Sequence, residues 1–152
     1  MILWRISNHA NLEGMGGLTV SGRWHARGRR IVYLSSSPAS ALLEILVHFE
    51  IPIGKLPRNY QLLEIQVPSD LLIEKLDQVV ALPPDWTANQ PFTQRIGNAW
   101  LDRNSSALLE VPSALVPNTN NYLLNPGHDS AKRILIISNS QHFLDERLLR
   151  QK

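Results

Sequence analysis

The apolar residues of this chain fall in short runs, and this spacing most constrains its fold. The run at 134–137 has four residues, and no run approaches the roughly 20 apolar residues that a membrane-spanning helix requires. Short β-branched or aromatic runs that end at Pro or Ser are typical of strands. We therefore expect strands at 2–6, 30–34, 60–67, 79–81, 108–111 and 133–138, the last of them buried.

Longer periodic segments predict two or three helices. Residues 38–49 and 91–103 show helical spacing, and 142–149 is expected to form a closing helix. Short strands mixed with few helices indicate a compact α+β fold, and 152 residues fit a single domain covering 1–152. The N-terminus lacks the order of a signal peptide, so we expect a cytoplasmic protein with no membrane partner.

The first predicted helix keeps one polar sector on an otherwise apolar surface. Pro38 follows a serine run and is expected to open the helix. Its apolar residues predict burial on most of the circumference; they are Leu42, Leu43, Ile45, Leu46, Val47 and Phe49. Glu44 and His48 stack at i, i+4 on the remaining sector. This pair either faces solvent or points into a cleft.

Several classes of chemistry are excluded by composition and spacing. The chain has no Cys, so disulfides, thiolate zinc sites, iron–sulfur clusters and a Cys nucleophile are ruled out. Its five His lack metal-binding spacings, and we expect no metal site. Phosphate-loop and Gly-x-Ser-x-Gly motifs are absent as well.

Cationic residues are concentrated at the start of the chain, although the net charge is only +2. Five of the eleven Arg and five of the eight Gly lie in the first 30 residues. Arg suits planar binding of phosphate or carboxylate, and Gly allows the backbone to approach a ligand. The segment is therefore either a solvated basic loop or a site for an anion, such as a phosphorylated small molecule or a nucleic acid backbone.

Six sequence blocks, taken in order, resemble the RES-domain family, whose name refers to an arginine, a glutamate and a serine. They are Trp4-Arg5-Ile6, Ser21-Gly22-Arg23-Trp24, Ile31-Val32-Tyr33, 42–48 (LLEILVH), 111–114 (VPSA) and 121–128 (NYLLNPGH). The resemblance extends from Arg5 to about Arg147. The chain departs from the family pattern at Ser21 and His25, where the family commonly has Gly and Asn, and at Ile6, where some relatives have Tyr.

The resemblance implies a fold similar to the ADP-ribosyltransferase toxins and a toxin of a bacterial type II toxin–antitoxin pair. The implied partner is an Xre-type antitoxin with a helix-turn-helix domain, bound to a toxin homodimer. NAD⁺ would be a substrate rather than a cofactor, and its cleavage by water or phosphate would arrest growth. Transfer of ADP-ribose to a protein is the alternative. The implied pocket residues are Arg5, Arg23, Tyr33, Glu44 and Ser113, with Asn121 as an addition.

Each implied role matches the chemistry of its side chain. A carboxylate such as Glu44 stabilises the oxocarbenium-like ribose that forms as neutral nicotinamide leaves. Arg5 and Arg23 would hold the pyrophosphate, and Tyr33 would stack on the cationic nicotinamide. Ser113 would hydrogen-bond the ribose or the nicotinamide amide.

Structural explanations remain open for the same residues. Ser113 is equally explained as a strand-end cap, Tyr33 as core, Glu44 as a surface carboxylate, and either Arg as tied to a carboxylate such as Asp102. His48 is expected to be structural rather than an acid or base, since nicotinamide needs no protonation to leave. A nucleic-acid-binding module is the non-enzymatic alternative, but the chain shows no recognition-helix pattern and no aromatic platform, so direct nucleic acid binding is not expected.

Overall fold

The computed structural model describes residues 1–48 and 58–149. In this part of the chain, seven strands form one sheet in the order β4-β5-β6-β2-β1-β3-β7. The strands are β1 (Ile2–Ile6), β2 (Val32–Ser35), β3 (Asn59–Gln66), β4 (Ile73–Lys75), β5 (Leu108–Pro112), β6 (Asn120–Leu124) and β7 (Leu135–Phe143), and the helices are α1 (Pro38–His48) and α2 (Gln90–Arg103). β4 and β5 pair in parallel and the other neighbours are antiparallel. The prediction of an α+β fold with mixed strands is confirmed.

Alternating side chains of the sheet contribute to two separate hydrophobic clusters. One cluster includes Leu3, Val32, Leu34, Leu63, Ile65, Leu108 and Leu124. The other joins the opposite face of the sheet to α2 and includes Trp24, Trp100, Leu109, Val111 and Leu123. Both faces of the central strands are therefore covered, and polar side chains on these strands need a local reason to be there.

The sheet has a weak point between its two halves. β1 pairs with β3 over five positions, from Ile2 to Ile6, whereas β1 pairs with β2 at one position, Trp4 opposite Ser35. The short ladder at this point leaves room between the halves for side chains of the neighbouring helix and loop. The cavity described below lies beside it.

α1 begins as the sequence predicts but is less buried than expected. The Ser37 hydroxyl accepts a hydrogen bond from the Ser40 amide at 3.1 Å, and Pro38 is the first helical residue. Of the helix residues, Ala41 is buried, while Leu43 and Val47 are 44% and 58% exposed. The prediction of burial on most of the circumference was wrong, because a helix lying on a sheet buries one stripe. Phe49 lies outside the described residues.

One predicted strand was wrong, and two strands of the structure were not predicted. Residues 79–81 form no strand; a 3₁₀ turn at Leu76–Gln78 precedes them, and the strand β4 is at Ile73–Lys75. β6 was not predicted, although it pairs with both β2 and β5. Its Asn residues have low strand propensity, and pairing on both sides overrides that preference.

The end of the chain also differs from the prediction. β7 pairs with β3 and lies at the edge of the sheet, so Leu135 and Ile137 are 56% and 48% exposed rather than buried. The strand continues to Phe143, and a 3₁₀ turn at Glu146–Leu149 takes the place of the expected closing helix. An edge strand has neighbours on one side, and a four-residue apolar run cannot distinguish this position from a central one.

Candidate functional site

A cavity of about 450 Å³ opens beside the weak point of the sheet. Its walls come from β1, β2, α1, the loop at 16–25 and the segment that follows β5. Five of the predicted site residues line it: Arg5, Arg23, Tyr33, Glu44 and Asn121. They are distant in sequence and are brought together by the fold. The volume is within the range typical of small-molecule sites.

Glu44 is held in this cavity by hydrogen bonds from two other elements. The Asn121 amide nitrogen on β6 donates to Glu44 Oε1 at 2.7 Å, and the Ser113 hydroxyl donates to the same oxygen at 3.3 Å. The Glu44 side chain is 28% exposed. The interpretation of Glu44 as a plain surface carboxylate therefore does not describe its surroundings, because its orientation is fixed from the sheet.

Asn121 donates a hydrogen bond to Glu44 with its amide nitrogen, while its amide oxygen has no donor among the described residues. Its Oδ1 atom is buried and has no hydrogen-bond partner within the described residues. The amide nitrogen, which is the donor end of this side chain, is directed to the Glu44 carboxylate, so the carbonyl oxygen points away from it. A buried acceptor without a donor costs roughly 1–3 kcal/mol. Asn121 is thus better explained by the orientation of Glu44 than by stability.

Ser113 is the strand-end cap that was considered for it, and it also contacts Glu44. Its hydroxyl oxygen accepts from the amides of Leu115 and Val116 at 3.1 and 3.2 Å, as a cap at the end of β5. Its hydrogen is directed to Glu44, and Ser113 itself is not part of the cavity wall. This geometry favours an action on Glu44 over direct contact with a ribose or amide.

Arg5 and Arg23 line the cavity without a carboxylate partner among residues 1–48 and 58–149. Each guanidinium donates a hydrogen bond to a backbone carbonyl oxygen. The acceptor is the carbonyl of Asn11 for Arg5, at 2.9 Å, and that of Thr87 for Arg23, at 2.6 Å. Burial lowers the pKa of Arg5, which means that its charge is poorly solvated. An anion entering the cavity would meet two oriented and unneutralised cations.

The remaining arginines of the same segment are accounted for differently. Arg29 forms the ion pair with Asp102, at 2.5 Å, that was considered for Arg5 or Arg23. Arg30 donates to the carbonyl of Glu13 at 2.8 Å. Arg27 is exposed. None of these three lines the cavity, so the anion-binding interpretation narrows to Arg5 and Arg23.

Tyr33 contributes its ring to the cavity while its hydroxyl is engaged elsewhere. The hydroxyl lies 2.7 Å from His25 Nδ1 and accepts from the Trp24 amide at 3.1 Å. Burial raises the pKa of Tyr33, with an opposing contribution from the nearby Arg23 charge. The phenol therefore remains protonated, and its ring forms part of the wall.

Helix α2 holds the backbone around Arg23, which sequence reasoning missed. Gln94 donates to the carbonyl of Gly22 at 2.9 Å, and the Thr93 hydroxyl to that of Arg23 at 2.5 Å. Gly97 lets the two segments touch, because a Cβ there would lie 1.7 Å from the Trp24 carbonyl oxygen. A glycine inside a predicted helix was the one available signal of such close packing.

Two further lining residues were also missed. Trp4 and Ser35 face each other across β1 and β2 and line the cavity. Trp4 offers a second aromatic surface, and Ser35 is a buried hydroxyl at 5% exposure. The sequence did not indicate this contact, because short strands carry no information about which strand lies beside them. His48, by contrast, is at the edge: its Nε2 atom is 3.9 Å from Glu44 Oε2 and its side chain is 70% exposed.

These features define a class of protein: a small α+β domain with a carboxylate anchored from the sheet and a cavity lined by two guanidinium groups that have no carboxylate partner in the described part of the chain. The family model described as the RES domain matches residues 2–145. The chain therefore belongs to the RES-domain family of toxins, as the sequence blocks predicted.

Relatives and a solved structure agree with this assignment. "Toxin Res" of Pseudomonas putida is 49% identical over 132 residues, which is 87% of this chain and 89% of that protein. "Prs ADP-ribosylating toxin" of a Sphingobium species is 37% identical over 157 residues, covering 97% and 96% of the two chains. A chain of the MbcT–MbcA toxin–antitoxin complex of M. tuberculosis superposes with a TM-score of 0.76 over 97% of this chain and 85% of that one, at 18% identity. This last similarity shows a shared fold.

No helix within the described ranges is both long and apolar enough to cross a bilayer.

Proposed function

We propose that this chain is a toxin that depletes NAD⁺ by breaking the bond between nicotinamide and ribose. In this reaction the C1–nitrogen bond breaks and its electron pair leaves with nicotinamide. A water or phosphate oxygen then bonds to C1, and in hydrolysis the water proton passes to solvent. Positive charge builds up on the ribose between these events, and a fixed carboxylate nearby stabilises it.

The observation that carries this proposal is the placement of Glu44. Its Oε1 atom is held by Asn121 at 2.7 Å and by Ser113 at 3.3 Å, on the wall of a cavity that Arg5 and Arg23 also line. A preorganised carboxylate needs no rearrangement when charge develops, which is the condition for electrostatic catalysis. Two guanidinium groups on the same wall, both without a carboxylate partner among the residues that the structure describes, suit the pyrophosphate of a dinucleotide.

Tyr33 and Trp4, together with Trp24, supply aromatic surface to the same cavity. Nicotinamide carries a positive charge in NAD⁺ and loses it on departure. An aromatic face attracts the charged ring in the ground state and still stacks on the neutral product. We assign this contact to Tyr33, in keeping with its block in the sequence, and Ser113 to the positioning of Glu44.

Transfer of ADP-ribose to a protein is the second candidate function. It is favoured by one specific observation, the Sphingobium relative named as an ADP-ribosylating toxin, which is 37% identical over nearly the whole chain. The pocket chemistry is the same up to departure of nicotinamide, and the two functions differ in the acceptor that reaches C1.

An antitoxin is the proposed partner, and we assign it to the Xre type with a toxin homodimer in the complex. The solved structure of similar fold comes from a toxin–antitoxin complex. The cavity mouth has exposed apolar side chains, with Val20 at 67%, Val47 at 58% and Leu115 at 39% exposure. A partner that covered them would bury apolar surface and close the cavity in one step.

An NAD⁺ assay with purified protein tests the proposal. We expect the wild type to consume NAD⁺ and Glu44→Gln to lose on the order of 10²–10³ in rate while keeping its fold by circular dichroism. Glu146→Gln, in the exposed turn near the C-terminus, is the matched control and should behave as wild type. Full activity of Glu44→Gln would overturn the proposal.

Labelled NAD⁺ separates the two functions. Free ADP-ribose and nicotinamide indicate hydrolysis, and a phosphorylated ADP-ribose formed only with added phosphate indicates phosphorolysis. Label that stays on a protein band, in a lysate supplied with purified toxin, indicates transfer. Addition of the antitoxin should suppress whichever activity is found.

A further inference from the structure

His25 is buried in the wall of the cavity and makes two hydrogen bonds that define its chemical state. His25 is 3% exposed. Its Nε2 atom lies 2.9 Å from the Val20 carbonyl oxygen, and its Nδ1 atom lies 2.7 Å from the Tyr33 hydroxyl oxygen. A carbonyl only accepts, so Nε2 carries the hydrogen. Burial lowers the pKa of His25, so the ring is neutral and Nδ1 accepts from Tyr33.

The loop around this ring is built from glycines that leave no room for side chains. A Cβ at Gly22 would lie 2.5 Å from the Tyr33 hydroxyl oxygen and 3.0 Å from His25 Nδ1. At Gly17 a Cβ would lie 2.1 Å from the Arg29 carbonyl oxygen and 3.2 Å from His25 Nε2. The imidazole therefore occupies a fitted slot between the loop and β2.

We propose that His25 is a positioning residue of the substrate pocket, which fixes the Tyr33 ring on one side and the Arg23 loop on the other. The link runs from the Tyr33 hydroxyl through the imidazole to the Val20 carbonyl. The backbone closes it, since the Gly22 amide donates to the His25 carbonyl at 3.0 Å, directly before Arg23. This inference rests on the proposed function in one respect, which is that it takes NAD⁺ as the substrate.

The network also decides which part of Tyr33 meets the substrate. Its hydroxyl donates to His25 and accepts from the Trp24 amide, so its hydrogen is already engaged. The ring face is what remains for a ligand in the cavity. Tyr33 then acts as an aromatic surface whose tilt is set by His25; the two rings lie 5.6 Å apart at 50°.

The tautomer is tested directly by nitrogen NMR of the histidine rings at neutral pH. We expect His25 to be neutral with the hydrogen on Nε2, and its signals to be identified by their loss in His25→Asn. His142→Asn, at an exposed position, is the control and should leave them in place. A neutral ring with the hydrogen on Nδ1, or an imidazolium at neutral pH, would overturn the proposal.

Two substitutions of His25 test the positioning role, because each replaces a different nitrogen of the ring. The Asn amide places its oxygen near the position of Nδ1, so His25→Asn keeps an acceptor for Tyr33. The Gln amide reaches the position of Nε2 instead, so His25→Gln loses that acceptor. We expect His25→Gln to raise the KM for NAD⁺ about tenfold, the equivalent of one lost hydrogen bond, with little change in kcat, and His25→Asn to stay closer to wild type.

A KM in His25→Gln equal to that of the wild type would overturn the proposal. Because misfolding would imitate a loss of binding, both variants are compared by thermal melting and by titration of the tyrosines. Loss of the acceptor in folded His25→Gln should lower the pKa of the Tyr33 phenol, because the hydrogen bond to His25 stabilises the protonated form. This titration and the NMR experiment need no activity. If the wild type consumes no NAD⁺, the proposed function fails and these two measurements still decide the role of His25.

Discussion

The Asn121 amide nitrogen on β6 lies 2.7 Å from the Oε1 atom of Glu44 on α1, across 77 positions of sequence. The carboxylate proposed for catalysis is therefore oriented by the sheet rather than by its own helix. The other oxygen, Oε2, faces the exposed His48 at 3.9 Å.

Asn121→Ala should lower kcat about tenfold with a small effect on KM, because Glu44 keeps its charge and loses its strongest orienting hydrogen bond. Steady-state NAD⁺ consumption measures both constants. Asn120→Ala, at the exposed neighbouring position of the same strand, is the control. An unchanged kcat in Asn121→Ala would show that the contact does not serve catalysis.

Arg5→Lys and Arg23→Lys should each raise the KM for NAD⁺ about tenfold while keeping the positive charge. The reason is geometric: a guanidinium can hold its carbonyl partner and a phosphate oxygen together, and an ammonium loses the planar fork. Arg133→Lys, which alters an exposed ion pair with Asp70, should leave KM as it is. If Arg5→Lys and Arg23→Lys had the same KM as the wild type and the Arg133→Lys control, pyrophosphate binding by Arg5 and Arg23 would be contradicted.

Gly97→Ala should destabilise the protein by about 1–3 kcal/mol, although Ala ordinarily favours a helix interior over Gly. The added Cβ would lie 1.7 Å from the Trp24 carbonyl oxygen, so α2 and the Arg23 loop must separate. Chemical denaturation measures the free energy of unfolding. Gly16→Ala meets no atom within 4 Å and serves as the control. A stabilising Gly97→Ala would show that the loop moves freely.

The free energy of unfolding should fall as the pH drops below about 6.5, the ordinary pKa of His. Burial lowers the pKa of His25 in the folded state, so the unfolded chain takes up a proton first and is favoured. The loss continues until the pH reaches the lowered pKa. Denaturation at a series of pH values should show a shallower decline for His25→Asn than for the wild type. Parallel curves would assign the decline to other groups.

His48→Ala should change kcat and KM by no more than about twofold, because an exposed pair at this distance contributes little. The Nε2 atom is 3.9 Å from Glu44 Oε2 and the side chain is 70% exposed. Initial rates with NAD⁺ check this, with Glu44→Gln as the inactive reference. A large loss in His48→Ala would assign the imidazole a part in the reaction.

Local patterns were sufficient for some features and failed at others for identifiable reasons. The start of α1 at Pro38 and the stacking of Glu44 and His48 depend on spacing within one helix, and both are confirmed. The exposure of Leu135 and the existence of β6 depend on which strands are neighbours. A short run of residues carries no information about its neighbours, so these features were wrong or missed.

The sequence by itself determined the family, the α+β class and the side chains that carry charge and aromatic surface, because these are written in residue type and in the order of the blocks. The tertiary structure alone decided how those side chains meet. Asn121 and Ser113 reach Glu44 from 77 and 69 positions away, and α2 holds the Arg23 loop from about 70. Hydrogen bonds act over about 3 Å in space, whatever the separation in sequence, so only the folded chain shows that one carboxylate is anchored and that two guanidinium groups line the same cavity.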